Sequence, residues 1–91
     1  MTRPAFEDAV LTVLSGLSPG EVVTYGEVAD QAGFPGAARA VGSLLARTGA
    51  EVPWWRVVAA GGHLRSPHPQ RQARLLAAEG VIVRHLRVTD G

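Results

Sequence analysis

The sequence predicts a mainly α-helical domain, a winged helix-turn-helix with a small β-hairpin wing, and three observations lead to this class. Four segments carry apolar residues at helical spacing. The second and third of these are short and are joined by a tight turn containing Gly and Pro, as in a helix-turn-helix. Farther along, Gly61-Gly62 separates two short apolar stretches, which is typical of a hairpin turn. We therefore expect residues 1–91 to form a single domain.

The first two helices are predicted by spacing and by end signals. Phe6, Val10 and Leu14 repeat on one helical face, and Pro4 suits an early helical position, so the first helix should cover about residues 4–16. The second should start at Thr24-Tyr25-Gly26-Glu27, which has the pattern of a capping box. Gly33 then provides a left-handed stop.

The third helix is predicted from about Ala37 to Arg47, and its outer face is unusually smooth. Small side chains let a helix approach a phosphodiester backbone closely, while an isolated arginine can protrude into a groove. A solvent-facing surface of good helix formers would explain the same pattern equally well. This face contains Gly36, Arg39, Ala40, Ser43 and Arg47.

The remaining elements are short. Residues 52–58 and 63–64 are predicted to form the two strands of the wing, with the glycine turn between them. A last helix should run from Gln70 to Glu79, stopped by Gly80. Its inward-facing residues should be Ala73, Leu76 and Ala77.

Composition excludes several classes of protein. With 46% hydrophobic residues the chain should fold, yet none of its apolar runs reaches the ~20 residues that span a bilayer. The first residues, Met1-Thr2-Arg3-Pro4, lack the regions of a secretory signal, so we expect a cytoplasmic protein with no membrane partner.

The residue types also limit the chemistry. The chain contains no cysteine and no lysine, which excludes disulfides, thiolate nucleophiles and Schiff-base lysines. His63, His68 and His85 lie in different segments without the spacing of metal ligands. We therefore expect no metal and no cofactor.

The net charge of +1 conceals an asymmetry along the chain. Residues 1–38 contain five acids against a single arginine, whereas residues 39–91 contain eight arginines against three acids. A basic half built only from arginine suits phosphate or nucleic-acid contact, because the guanidinium fork matches phosphate geometry.

Three motifs, in order, resemble one family. They are Val23-Thr24-Tyr25-Gly26-Glu27-Val28-Ala29, Ala38-Arg39-Ala40-Val41-Gly42 and Val52-Pro53-Trp54-Trp55-Arg56-Val57-Val58. Together they resemble the DNA-binding domain of the O6-alkylguanine-DNA alkyltransferases, and more narrowly the alkyltransferase-like proteins, over roughly residues 5–84. The resemblance implies a DNA-binding winged helix that recognises alkylated guanine flipped out of the duplex.

The third motif decides whether the chain is an enzyme. The alkyltransferase signature Pro-Cys-His-Arg-Val stands here as Pro53-Trp54-Trp55-Arg56-Val57, so Trp54 occupies the nucleophile's position and Trp55 that of the activating histidine. An indole is neither a usable nucleophile for dealkylation nor a proton relay. The resemblance therefore implies binding without repair.

The same resemblance assigns roles to individual residues. Tyr25 should press on the phosphate beside the target nucleotide, and Arg39 should fill the vacated place in the base stack. Arg56 matches an arginine that is mainly structural. The lesion pocket should contain Pro53, Trp54, Trp55 and Arg65. The residues expected at the DNA backbone and minor groove are Thr24, Gly36, Ala40, Ser43 and Arg47.

The implied partner is double-stranded DNA containing O6-alkylguanine, bound by a monomer. Since the alkyl group stays in place, the family resemblance suggests that the lesion passes to nucleotide-excision repair proteins.

Two other classes of function stay open at this point. A transcription regulator would read undamaged sequence through the third helix, although that face offers no Asn or Gln for adenine. A hydrolase would need a nucleophile beside a base, for which the sequence shows no pair. The two tryptophans have a plain structural interpretation as core residues, and the flanking motif favours Trp54 at a pocket with Trp55 partly in the core.

Overall fold

The computed structural model describes residues 5–91, so Pro4 and the predicted start of the first helix at residue 4 lie outside the described residues. Within this range the chain forms four α-helices, two short strands and two turns of 3₁₀ helix. The helices are α1 (Phe6–Ser15), α2 (Tyr25–Gln31), α3 (Ala38–Arg47) and α4 (Pro69–Ala78). The strands are β1 (Val23–Thr24) and β2 (Val57–Val58), and the 3₁₀ turns are Trp54–Arg56 and Ala60–Gly62. The predicted mainly helical class is confirmed.

The helix-turn-helix is formed by α2 and α3, and its ends follow the local sequence. The capping box is present: the Glu27 amide donates to the Thr24 hydroxyl at 3.1 Å, and the Thr24 amide donates to the Glu27 carboxylate at 2.9 Å. Just beyond the end of α2, Gly33 has a φ of +89°, as predicted for a left-handed stop. Phe34 in the following turn packs edge-on against Phe6, which ties the turn to α1.

Two groups of buried residues hold the domain together. The larger group lies among α1, α2 and α3 and includes Val10, Leu14, Val28, Val41 and Leu44, each at most 1% exposed. The smaller group lies under α4. It consists of Val58, Leu64 and Leu76, with Trp55 packed against it.

The strand pairing differs from the predicted hairpin. β2 pairs in parallel with β1, with Val23 opposite Val57 and Thr24 opposite Val58. Both residues of β2 are buried, so β2 needs a partner inside the fold, and β1 supplies one. This pairing places the start of α2 beside the end of the Trp54–Arg56 turn.

The predicted return strand bonds across the glycine turn only once, where the Ala59 amide donates to the His63 carbonyl at 2.8 Å, and it also pairs with the C-terminal segment. After the tight turn at Ala60–Gly62, His63 forms an antiparallel bridge with Arg87. Gly62 is required at this turn, because a Cβ on it would lie 2.7 Å from the Val88 carbonyl oxygen and its φ is +89°. The glycine turn is thus held against the C-terminal residues of the domain.

The buried face of α4 also differs from the prediction. Ala73 and Leu76 do face inward, but Ala77 is exposed, while the polar residue Gln72 is completely buried. The Gln72 side-chain amide donates to the backbone carbonyls of Trp55 at 3.0 Å and Val57 at 2.8 Å. A buried polar group is tolerated where such bonds are made, and these two attach α4 to the Trp54–Arg56 turn.

No helix of residues 5–91 is long and apolar enough to cross a membrane.

Candidate nucleic-acid interface

An open cleft of about 780 Å³ lies where the helix-turn-helix meets the Trp54–Arg56 turn and α4. Five parts of the chain form its walls: the start of α2, one side of α3 with the loop after it, Trp54, the start of the glycine turn at Ala59 and Ala60, and the segment that leads into α4. The lining residues are Thr24, Tyr25, Gly26, Ala38, Arg39, Gly42, Leu45, Ala46, Thr48, Gly49, Ala50, Trp54, Ala59, Ala60, Arg65, Ser66, Pro67, His68 and Arg71.

The charge of the cleft has one sign. Arg39, Arg65 and Arg71 line it, and no Asp or Glu is among its lining residues in the described part of the chain. The one salt bridge within residues 5–91 joins Arg56 to Glu79, on the other side of the Trp54–Arg56 turn, so the three cleft arginines have no carboxylate partner there. Unpaired guanidinium groups around an open cleft favour an anionic ligand such as a phosphodiester chain.

Tyr25 forms one wall of the cleft as the first residue of α2. Its ring lies against α3 at Gly42, where an added Cβ would be 3.9 Å from two of the ring carbons. Partial burial raises the pKa of the Tyr25 hydroxyl above its ordinary value of 10.0. The hydroxyl therefore stays protonated at neutral pH and can donate a hydrogen bond to an acceptor in the cleft, such as a phosphate oxygen.

Trp54 forms another part of the cleft wall. Its ring is packed edge-on against Trp55 and His68, with centroid distances of 6.1 and 6.4 Å, and the Arg71 guanidinium carbon is 6.0 Å from its ring centroid. No hydrogen bond to the Trp54 indole is found within residues 5–91, so its N–H remains available to a ligand. A flat apolar surface with one donor suits a base that stacks and accepts a hydrogen bond.

Trp55 lies on the other side of the 3₁₀ turn and does not line the cleft. Its indole N–H donates to Glu79 Oε2 at 2.9 Å, and the Arg56 guanidinium carbon lies 5.2 Å from its ring centroid. The tryptophan therefore has its polar atom satisfied by the protein and its ring packed against the smaller core group. This placement agrees with a partly buried core residue and not with a place in the pocket beside Trp54.

Arg56 and Glu79 form the centre of this rear network. Arg56 Nε and Nη2 donate to the two carboxylate oxygens at 3.0 and 2.6 Å, and Nη1 donates to the Leu17 carbonyl at 2.8 Å. Glu79 also accepts from the Gly20 amide at 2.8 Å. These bonds, above all those from Arg56, lower the pKa of Glu79 from 4.5 to about 2. The hydrogen bonding to Glu79 in turn raises the pKa of Arg56. The network joins three distant segments, as a structural role for Arg56 requires.

The other predicted residues fall in two places. Thr24, Arg39 and Arg65 line the cleft together with Tyr25 and Trp54. Pro53 instead lines a smaller hollow of about 510 Å³ behind Trp54, together with Trp55. Ala40, Ser43 and Arg47 are exposed on α3 at helical spacing from Arg39, as predicted. Gly36 is exposed too, but it lies in the turn before α3 with a φ of +86°, so its predicted place on the helical face is wrong.

Sequence reasoning missed part of the cleft wall. Ser66, Pro67, His68 and Arg71 come from the segment entering α4, which the sequence marked only as a loop and a helix start. No local signal marks Arg71, because its place at the cleft depends on the packing of α4, in which the neighbouring Gln72 is buried. Within residues 5–91 no group of three or more His, Cys, Asp or Glu residues could hold a metal ion.

Comparison with known proteins agrees with this geometry. Residues 5–81 match the family model described as 6-O-methylguanine DNA methyltransferase, DNA binding domain. A DNA base-flipping protein of Escherichia coli is 45% identical over 83 residues, which cover 87% of this chain and 64% of that protein. The chain thus spans slightly less than two thirds of that relative's length.

Two yeast comparisons extend the match. Alkyltransferase-like protein 1 of Schizosaccharomyces pombe is 36% identical over 87 residues, 89% of this chain and 81% of that protein. The crystal structure of S. pombe Atl1 in complex with damaged DNA containing O6-carboxymethylguanine superposes with a TM-score of 0.81 at 33% identity, covering 92% of this chain and 83% of that one. The chain therefore belongs to the family of 6-O-methylguanine DNA methyltransferase DNA-binding domains and, with Trp54 in the acceptor position and no cysteine, is an alkyltransferase-like member of it.

Proposed function

We propose that residues 1–91 act as one domain, a monomer that binds O6-alkylguanine in duplex DNA by flipping the nucleotide into the cleft and leaves the alkyl group in place. The observation that carries this proposal is the cleft itself, which is lined by an indole at the acceptor position, by Tyr25 and by three arginines without carboxylate partners. The relative named a base-flipping protein and the relative bound to alkylated DNA support it.

Each wall of the cleft has a part in the proposed binding. The exposed small-residue face of α3 lies in the minor groove, where the absence of large side chains allows close approach. Arg39, at the edge of that face, occupies the vacated place in the base stack. Tyr25, with its protonated hydroxyl, contacts the phosphate beside the flipped nucleotide. The extruded base then stacks on Trp54 and offers its edge to the indole N–H.

The absence of repair follows from chemistry. Transfer of an alkyl group needs a strong nucleophile beside the alkyl carbon that is bonded to O6, and a base to activate that nucleophile. The indole nitrogen has its lone pair in the aromatic system, and the adjacent Trp55 is hydrogen-bonded to Glu79. A flipped base in this cleft is therefore held and not dealkylated.

A titration of three duplexes tests the proposal. Fluorescence anisotropy of labelled duplexes that differ only in one base, guanine, O6-methylguanine or O6-benzylguanine, is followed at fixed moderate salt, because phosphate contacts make affinity depend on salt. We expect tighter binding to both alkylated duplexes, and mass spectrometry should show protein and DNA unchanged. Equal binding to all three would contradict the proposal and favour a regulator that binds undamaged DNA.

We also propose that the bound lesion is passed to nucleotide-excision repair proteins, because a sensor without chemistry needs a recipient. Pull-down from a cell lysate with alkylated and unmodified duplex, each with and without the protein, tests this step. Enrichment of excision factors should require both the lesion and the protein. Enrichment independent of either one would contradict the handover while leaving lesion binding intact.

A further inference from the structure

Arg71 lies in the first turn of α4, on the part of the cleft wall formed by the segment that leads into this helix. Its guanidinium carbon is 6.0 Å from the centroid of the Trp54 ring, and the residue itself is exposed at the cleft. Of the three cleft arginines, it is the one for which a contact with the Trp54 ring is found within residues 5–91. The positive charge of Arg71 is therefore close to any ligand group that packs against the Trp54 ring.

The position of Arg71 relative to Trp54 is fixed by its neighbour. Gln72 is fully buried, and its amide donates to the Trp55 carbonyl, within the 3₁₀ turn that bears Trp54, and to the Val57 carbonyl directly after that turn. The first turn of α4 and the Trp54 turn are thus bonded to each other. The Arg71 backbone cannot move away from Trp54 without breaking these bonds, although its side chain remains free to turn.

The charge of Arg71 is not compensated within the protein. The one salt bridge of residues 5–91 is Arg56–Glu79, and the cleft contains no acid there. A guanidinium binds a carboxylate through two parallel N–H donors, and the partial negative charge on the face of an indole would by itself disfavour an anion. An anionic substituent placed against Trp54 would therefore owe its binding to the arginine.

We propose that Arg71 makes the cleft select O6-alkylguanines whose substituent carries a negative charge, such as a carboxylate, over neutral substituents of the same size. This inference rests on the proposed function, because it places the O6 substituent against Trp54. The yeast relative bound to DNA containing O6-carboxymethylguanine shows that a cleft of this fold admits such a group.

The test compares two lesions that differ in charge and not in shape. Duplexes with O6-carboxymethylguanine and O6-carbamoylmethylguanine are titrated against the protein at one fixed salt concentration, with unmodified guanine as reference. We expect the carboxylate duplex to bind about fivefold tighter than the amide duplex, the preference that a partly exposed ion pair of about 1 kcal/mol gives. In Arg71→Gln this ratio should fall to about one, and Arg71→Lys should restore part of it.

A matched control is available on the same helix. Arg74 is exposed and lies outside the cleft, so Arg74→Gln removes an equal charge from α4 and should leave the ratio unchanged. If Arg71 only contacted a phosphate, Arg71→Gln would weaken all three duplexes equally, and that result would overturn the inference. Parent protein that binds the amide duplex as tightly as the carboxylate duplex would also overturn it. Failure to prefer either lesion over guanine would instead overturn the proposed function.

Discussion

The two tryptophans of the 3₁₀ turn are adjacent in sequence and lie in opposite environments. Trp54 faces the cleft, touches its neighbours through ring contacts, and has its N–H available. Trp55 faces the interior, where Glu79 accepts its N–H and Arg56 lies over its ring. One side of the turn thus has a hydrogen-bond donor without a partner in the protein, which suits a ligand. The other side is a hydrogen-bonded network that holds the turn in place.

This difference shows how a rigid recognition surface is built from a segment of only three residues. Such a short turn has little stability of its own, because few backbone hydrogen bonds oppose its conformational entropy. Here the stability comes from the rear side, through the bonds of Arg56, Glu79 and Gln72. Changes on the rear side should therefore affect folding, and changes at the cleft should affect binding.

The largest expected effect is on the rear side, in Glu79→Ala. Removing the carboxylate leaves the guanidinium of Arg56 buried without its counter-charge and leaves the Trp55 N–H unpaired. We expect a loss of about 3 kcal/mol in the free energy of unfolding, the lower end for a broken buried ion pair, because the two side chains keep 10% and 14% exposure. Urea denaturation measures it. The exposed acid Asp90, changed to Asn, serves as the control and should cost almost nothing; equal costs would contradict the network's role.

The same network predicts how stability depends on pH. The pKa of Glu79 is lowered from 4.5 to about 2, so the folded state holds this carboxyl ionised more strongly than the unfolded chain does. The stabilisation is fully present above pH 4.5 and is lost as the pH falls toward about 2. The difference in unfolding free energy between the parent and Glu79→Gln should therefore shrink over this interval. A difference that stays constant from pH 6 to pH 2.5 would contradict the assignment.

On the cleft side, Arg39→Ala should weaken lesion binding by tenfold or more, on the order of the few kcal/mol that extruding a base costs. Stability should change little, because Arg39 is exposed. Anisotropy titration with O6-methylguanine duplex measures the loss. Arg84→Ala removes an exposed arginine outside the cleft and should produce at most a small, lesion-independent change. Identical losses of affinity in the two variants would mean that Arg39 contributes only a nonspecific electrostatic contact with DNA.

The smallest expected effect is that of substituting Gly42, the residue of α3 against which the Tyr25 ring lies. In Gly42→Ala the added Cβ would lie 3.9 Å from the Tyr25 ring, an ordinary contact, and alanine is the better helix former. We expect a gain of about 0.5–1 kcal/mol in stability with unchanged lesion binding. Gly42→Leu, which reaches into the ring, should weaken binding. A loss of binding in Gly42→Ala would mean that DNA itself needs the space at Gly42.

Local features of the fold could be predicted from the sequence, and long-range ones could not. The capping box of Thr24 and Glu27 and the left-handed Gly33 depend on residues within one turn, and both are present. The pairing of β1 with β2 joins distant segments, and the local glycine turn suggested a different partner. Similarly, the polar Gln72 was not expected in the core, because the carbonyls it satisfies belong to another part of the chain.

The residues of the candidate site show the same difference between what local sequence predicts and what depends on long-range packing. The motif resemblance identified Tyr25, Arg39 and Trp54, which share one cleft. It favoured Trp54 at the pocket and Trp55 partly in the core, yet it assigned both to the lesion pocket, because the place of Trp55 depends on Glu79, far along the sequence. Arg71 was missed for the same reason: the direction in which it points is set by the packing of α4 against the Trp54 turn.

The most direct test of this division is a paired measurement on Trp54→Ala and Trp55→Phe. For each variant, the ratio of affinities for O6-methylguanine and guanine duplexes is compared with the free energy of unfolding. We predict that Trp54→Ala loses most of the lesion preference with little loss of stability. Trp55→Phe, which removes the N–H bonded to Glu79, should keep the preference and lose stability. If Trp54→Ala retained full preference for the alkylated duplex, Trp54 would not be the surface that receives the lesion, and the account would be contradicted.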